Sequence, residues 1–179
     1  MVNKTKKTIH NTIKTIPRRY VPSKLSNHDK QIQRKMLNKS RKLYTSGQYF
    51  TRKKISSFTS KPSYHVKNAK KIYNIKSIVP NRNLANKTGC SVKSLKQIVK
   101  KGEGAYFSSG SRPNQTAKSW GYARLASSVT GGKSAAVDFN ILEKGCKANS
   151  KALRYAKKSR KKHKYGKRKT PQVKLVEIF

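Results

Sequence analysis

The stretch Ser91–Gly102, SVKSLKQIVKKG, carries the clearest periodic signal in the chain. Val92, Leu95, Ile98 and Val99 recur at helical spacing, so the segment predicts a helix from Ser91 to about Lys101 with one apolar face. Lys100 and Lys101 suit the negative end of such a helix, and Gly102 suits the position just beyond it. Downstream, Ala105–Phe107 reads as a short strand, followed by a Ser/Gly/Pro/Asn-rich turn. Thr116 or Asn114 is placed to cap a second helix, through about Val129, with Gly131 and Gly132 ending it. Trp120 on that helix is expected in the core rather than stacked on a base with Arg112 and Arg124. A third helix is expected from Ser134 to Gly145, through Ala135, Ala136, Val137, Ile141 and Leu142.

Composition sets this module apart from its flanks. Residues 88–148 hold eight of the ten glycines, the only tryptophan, and ten basic residues against three acids. Residues 1–87 hold 23 basic residues and one acid, and residues 149–179 hold 12 and one. The expected fold is mainly α (or α+β): a small helical module with long basic extended arms. Its divisions are an arm over 1–87, the module over 88–148 and a tail over 149–179. The arm holds one expected helix, Asn27–Tyr44, with Ser26 or Asn27 as cap and Gly47 past its end. Pro17, Pro22, Pro62 and Pro80 cut the rest into short pieces. Ile32, Met36, Leu37 and Leu43 recur near one face and are the expected protein-docking residues of the arm. Near the C-terminus Val173, Leu175, Val176, Ile178 and Phe179 alternate like a strand that adds to a sheet edge, the chain's own or a partner's.

The charge excludes several classes and favours others. The 179 residues include 45 Lys and Arg against 5 Asp and Glu, a formal net charge of +40, and only 34% are hydrophobic. Such an excess calls for polyanions or acidic surfaces. No apolar run reaches the ~18–20 residues of a membrane span. No secretory h-region stands at the N-terminus. Cys90 and Cys146 flank the module and are expected as buried thiols in a reducing compartment. No metal-ligand spacing and no cofactor motif is visible. Thr130–Ser134, TGGKS, ends like a phosphate-binding loop, but Ser127 stands where that pattern needs glycine, so a helix stop followed by a helix start is the expectation.

The densest charge is Lys151–Lys169, with 11 basic residues in 19. Its expected anion-binding residues are Lys157, Lys158, Arg160, Lys161, Lys162, Lys164, Lys167, Arg168 and Lys169. Lysine predominates, which favours point-charge neutralisation over bidentate reading of bases. Ser108, Ser109 and Ser111 lack the base and orienting acid that a serine nucleophile needs, since all four histidines lie outside the module.

The block Lys101–Thr116, KGEGAYFSSGSRPNQT, continues as Ser119–Ser127, SWGYARLAS, then Thr130–Asp138, TGGKSAAVD, and Ile141-Leu142. It resembles an uncharacterised domain of large double-stranded DNA viruses of algae and amoebae (the giant viruses) and of some phages. The resemblance implies a viral source and a virion component; it assigns no catalytic residue. Tyr106, Ser108, Ser109, Ser111, Arg112, Asn114, Trp120 and Arg124 form its motif loop and the helix after it. The expectation is a non-enzymatic virion structural protein, a minor capsid or inner-shell protein that ties other capsid proteins together through its arms. The alternative is a DNA-condensing core protein with viral DNA as partner. A ribosomal protein and an enzyme acting through the Arg112 loop stand behind these. An inner membrane surface would also match the charge.

Overall fold

A computed structural model describes residues 15–166 and 170–175 of the protein. The chain starts in strand β1 (Thr15–Pro17) and a 3-10 turn at Arg18–Tyr20, then enters helix α1 (Asn27–Thr45). After a segment without regular structure come α2 (Tyr64–Tyr73), α3 (Arg82–Thr88), α4 (Val92–Ser108) and α5 (Ala117–Val129). They are followed by α6 (Lys133–Val137), α7 (Phe139–Gly145), α8 (Lys151–Lys162), a 3-10 turn at Lys164–Gly166 and strand β2 (Gln172–Lys174). The fold is mainly α: among the described residues there are eight α-helices and one two-stranded antiparallel sheet, with Ile16 opposite Val173.

Local chemistry accounts for most helix starts. Ser26, Asn81, Ser91, Thr116 and Ser150 each accept a backbone N–H three residues on, and Thr116 with Ser119 completes a reciprocal capping box. Each such cap contributes about 1 kcal/mol.

Two apolar clusters hold the helices together. The larger joins Leu95, Ile98 and Val99 of α4 to Leu125, Ala126 and Val129 of α5, then to Phe139, Leu142, Ala152, Leu153 and Ala156. Ala69, Tyr73, Ile75, Ile78 and Leu84 belong to it as well. The second gathers Ile16, Tyr20, Val21, Leu25, Met36, Leu37, Ile55 and Leu175, with Trp120 packed on it.

The expected division into module and arms is therefore corrected. Three helices form between residues 27 and 88, and both flanks supply core. The physical reason is that the proline-bounded pieces each carry apolar residues at a spacing their own chain can bury. Lysine stems stay at the surface, so the charge does not prevent packing. The expected C-terminal strand pairs with the chain's own β1 over Gln172–Lys174; Val176, Ile178 and Phe179 lie outside the described residues.

Three local expectations also change. Ala105–Phe107 is helix, not strand, because α4 runs past Gly102 to Ser108. Gly102 is not a terminator but a point of close approach: a Cβ there would lie 2.7 Å from the Gly121 Cα, and one on Gly121 would lie 2.8 Å from the Val99 carbonyl oxygen. Tertiary packing of α4 on α5 thus overrides the roughly 1 kcal/mol helix penalty of each glycine. The expected third helix breaks at Asp138 into α6 and α7, because Asp138 turns inward as a buried anion. Finally, Cys90 and Cys146 are not free thiols; they pair in a short antiparallel bridge and form a disulfide.

Candidate nucleic-acid interface

Helix α8 presents two opposite faces. Ala152, Leu153, Ala156 and Ser159 are buried, and Ser159 Oγ donates to the Gly132 carbonyl at 2.8 Å. At about 100° per residue, Lys151, Arg154, Lys157, Lys158, Lys161 and Lys162 fall within about 140° of arc on the other side, and all six are exposed. They span about 16 Å of helix axis at 1.5 Å per residue. Lys151, Arg154, Tyr155 and Lys158 line a shallow cleft of about 190 Å³. Gly131 backs Tyr155: with φ +72°, it lies close enough that a Cβ would sit 3.2 Å from the Tyr155 Cβ. The TGGKS segment is thus the seat of α8, as a helix stop and a helix start.

Two acids, Asp138 and Asp29, are inside. Asp138 is 1% exposed; its Oδ1 and Oδ2 accept Arg124 Nη2 at 2.7 Å and Arg124 Nε at 2.8 Å, and Ser128 Oγ donates to Oδ2 at 3.0 Å. Lys101 Nζ completes the cluster at 3.0 Å from Oδ1. Asp29 is also buried, and its carboxylate accepts the Ser57 N–H at 2.9 Å and the Ser56 hydroxyl at 3.3 Å. The Ser57 bonds hold its pKa below the ordinary carboxylate value. Two of the chain's five acids are thereby withdrawn from the surface.

The expected anion-binding set is partly reassigned. Lys157, Lys158, Lys161, Lys162 and Lys164 are exposed. Arg160 is not a surface cation in the same sense: its guanidinium lies over the rings of Phe139 at 4.2 Å and Tyr165 at 5.1 Å. Lys167, Arg168 and Lys169 lie outside the described residues. Lys151 and Arg154 join the face although the expected anion-binding set begins only at Lys157. Their i, i+3, i+7 spacing with Lys158 was the available signal.

The expected protein-docking residues do not form a free surface. Leu37 is fully buried and Met36 is 7% exposed, both in the second cluster; Ile32 packs against it and Leu43 is half-buried. The motif loop is where they are fastened. Gln33 Nε2 donates to the Ser111 and Tyr20 carbonyls, and Ser40 Oγ donates to the Phe107 carbonyl. Arg52 stacks on the buried Tyr106 ring at 3.7 Å and donates to Ser40 Oγ, the Tyr106 carbonyl and Ser111 Oγ. Asn114, at φ +56°, accepts the Ile55 N–H and donates to the Ile55 and Phe58 carbonyls. Trp120 is half-buried, edge-on to Tyr20 at 5.8 Å. Ser108, Ser109 and Arg112 are exposed; burial, and after it Arg112 and Arg19, depresses the pKa of His65. The motif thus works as an internal clamp between α1, the 52–58 segment and α4.

The chain belongs to the family of unknown function DUF5824, whose model matches residues 17–154. That span runs from β1 to the end of the first turn of α8 and includes the clamp on both its sides. No curated protein and no solved structure matches the chain.

Proposed function

We propose that the protein is a non-enzymatic nucleic-acid-binding protein that neutralises and condenses duplex DNA without reading its sequence. The observation that carries this is the α8 face, six exposed cations in about 16 Å with no acid on the helix. Duplex DNA bears one charge per about 1.7 Å of axis, so such a face meets several phosphates at once and releases their counterions. The motif's resemblance to a domain of large DNA viruses gives the setting: a core component of a virion, bound to the packaged genome. The capsid-linking reading, the first expectation from the sequence, relied on Ile32, Met36, Leu37 and Leu43 as docking residues; with Met36 and Leu37 buried in the chain's own second cluster and Ile32 packed against it, they lend it no support.

The test is a titration of the full chain against two 30-bp duplexes of unrelated sequence, read by fluorescence anisotropy over a range of salt. Both duplexes bind alike, and log K falls linearly with log salt. Replacing Lys151, Arg154, Lys158 and Lys162 together by Gln makes the slope shallower by about 3.6, at about 0.9 per phosphate contact. Between 50 and 200 mM salt the wild type then loses about 150-fold more affinity than the variant. An unchanged slope removes α8 as the anion site; strong preference for one duplex removes sequence-independent binding.

A further inference from the structure

We infer that Tyr44, Tyr49 and Phe107 form a second nucleic-acid contact, a stacking platform for an unpaired base of single-stranded DNA or RNA. This rests on the reading that the protein binds nucleic acid, and it adds a strand state that the α8 face does not address. The three rings meet where the C-terminal ends of α1 and α4 come together. Tyr44 and Phe107 are within 6° of parallel at 6.4 Å, and Tyr49 crosses them at 4.9 Å from Phe107 and 6.1 Å from Tyr44. Tyr49 is 71% exposed, although an aromatic ring gains most by burial.

The platform is fixed in place rather than carried on a loose loop. Gly47, at φ +76°, turns the chain back over the end of α1, and the Gln48 N–H donates to the Leu43 carbonyl at 2.9 Å. Three residues past Tyr49, the Arg52 N–H donates to the Tyr106 hydroxyl at 3.3 Å. The Tyr44 hydroxyl lies 3.5 Å from where a Cβ on Gly104 would stand, ordinary van der Waals distance, so Tyr44 rests against α4 at that turn.

The surroundings are cationic. Arg41, one turn before Tyr44, donates from Nη2 to the Ser109 carbonyl, while its Nε is buried with no hydrogen-bond partner among the described residues. Lys39 Nζ lies over the adjacent Phe50 ring at 4.9 Å, and Lys100 lies exposed two turns before Phe107 on α4. The nearest acid in sequence, Glu103, packs its Cγ toward Gly121 of α5. An exposed ring, Tyr49, set on the half-buried Tyr44 and Phe107 rings beside cations matches the chemistry of a base on a phosphodiester chain.

The experiment measures binding of the full chain, at one salt concentration, to a dT15 strand, an abasic strand of equal length and a 15-bp duplex. Tyr49→Ala weakens dT15 by about 5- to 150-fold, the range for loss of one stacked base. It leaves the abasic strand and the duplex within about two-fold, and Tyr49→Phe retains wild-type binding of dT15. A Tyr49→Ala variant that loses no more affinity for dT15 than for the abasic strand overturns the platform while leaving the α8 reading intact. Wild-type protein that binds neither duplex nor strand overturns both.

Discussion

Asp138→Asn isolates the largest single electrostatic commitment in the core. The side chain is 0% exposed, and both oxygens are taken by Arg124, with Lys101 and Ser128 in addition. Asparagine keeps one oxygen, places an NH₂ against the guanidinium and leaves Arg124 without its counter-charge. Breaking a buried pair from one side costs about 3–5 kcal/mol. The Arg124 side chain is 18% exposed and that of Lys101 is 46% exposed, so water recovers part of the loss. The lower end, about 3 kcal/mol, is the expectation. For a chain of this size each kcal/mol moves Tm by about 2–4 °C, which gives a fall of about 6–12 °C by circular dichroism. Glu143→Gln removes the same charge from an exposed site and stays within about 0.5 kcal/mol. A fall for Asp138→Asn no larger than that for Glu143→Gln would refute the reasoning and assign the effect to net charge.

Further outcomes follow from the crosslink and from His65. Cys90 and Cys146 are 56 residues apart in sequence, so the chain-entropy model gives their disulfide about 4 kcal/mol. Reductant lowers the Tm of the wild type but not of Cys146→Ser, and a non-reducing peptide map recovers the crosslinked pair; recovery of only free thiols sinks the assignment. His65 is depressed from 6.5 by burial first and then by Arg112 and Arg19. As pH falls below 6.5 the unfolded chain takes up this proton first, so stability is whole above 6.5 and declines on acidification. Urea unfolding from pH 7.5 to 5 shows the decline, and His65→Gln flattens it; equal slopes in both proteins place the titration elsewhere.

The helices with a polar cap and a 3.6-residue apolar repeat were legible in sequence. Ser26 with α1, Ser91 with α4 and Thr116 with α5 stand where the residues imply. What was not legible depends on contacts between distant residues. Gly102 reads as a helix stop until Gly121 is seen against it, and the break of the expected third helix at Asp138 shows only once Arg124 reaches that carboxylate. The apolar face of α1 looks the same whether it docks on a partner or on its own chain. Only the Gln33, Ser40 and Arg52 bonds to the motif loop decide between them. For the α8 face, composition revealed the run from Lys157 onward. The geometry added Lys151 and Arg154, because face membership depends on angle rather than on density.

The β1–β2 pair also governs when the protein can finish folding. Ile16 and Leu175 are both buried in the second cluster, from opposite ends of the described chain. Closing a loop of that length is a late event, since its entropy is lost before the contacts it brings return anything. On the ribosome, α1 and its clamp are made early, but their cluster stays open on the Ile16 side until Leu175 has left the exit tunnel. During that interval a strongly cationic nascent chain holds an unfilled apolar seam beside ribosomal RNA. Emergence of Leu175, rather than synthesis of any one helix, is therefore the step that seals this half of the molecule.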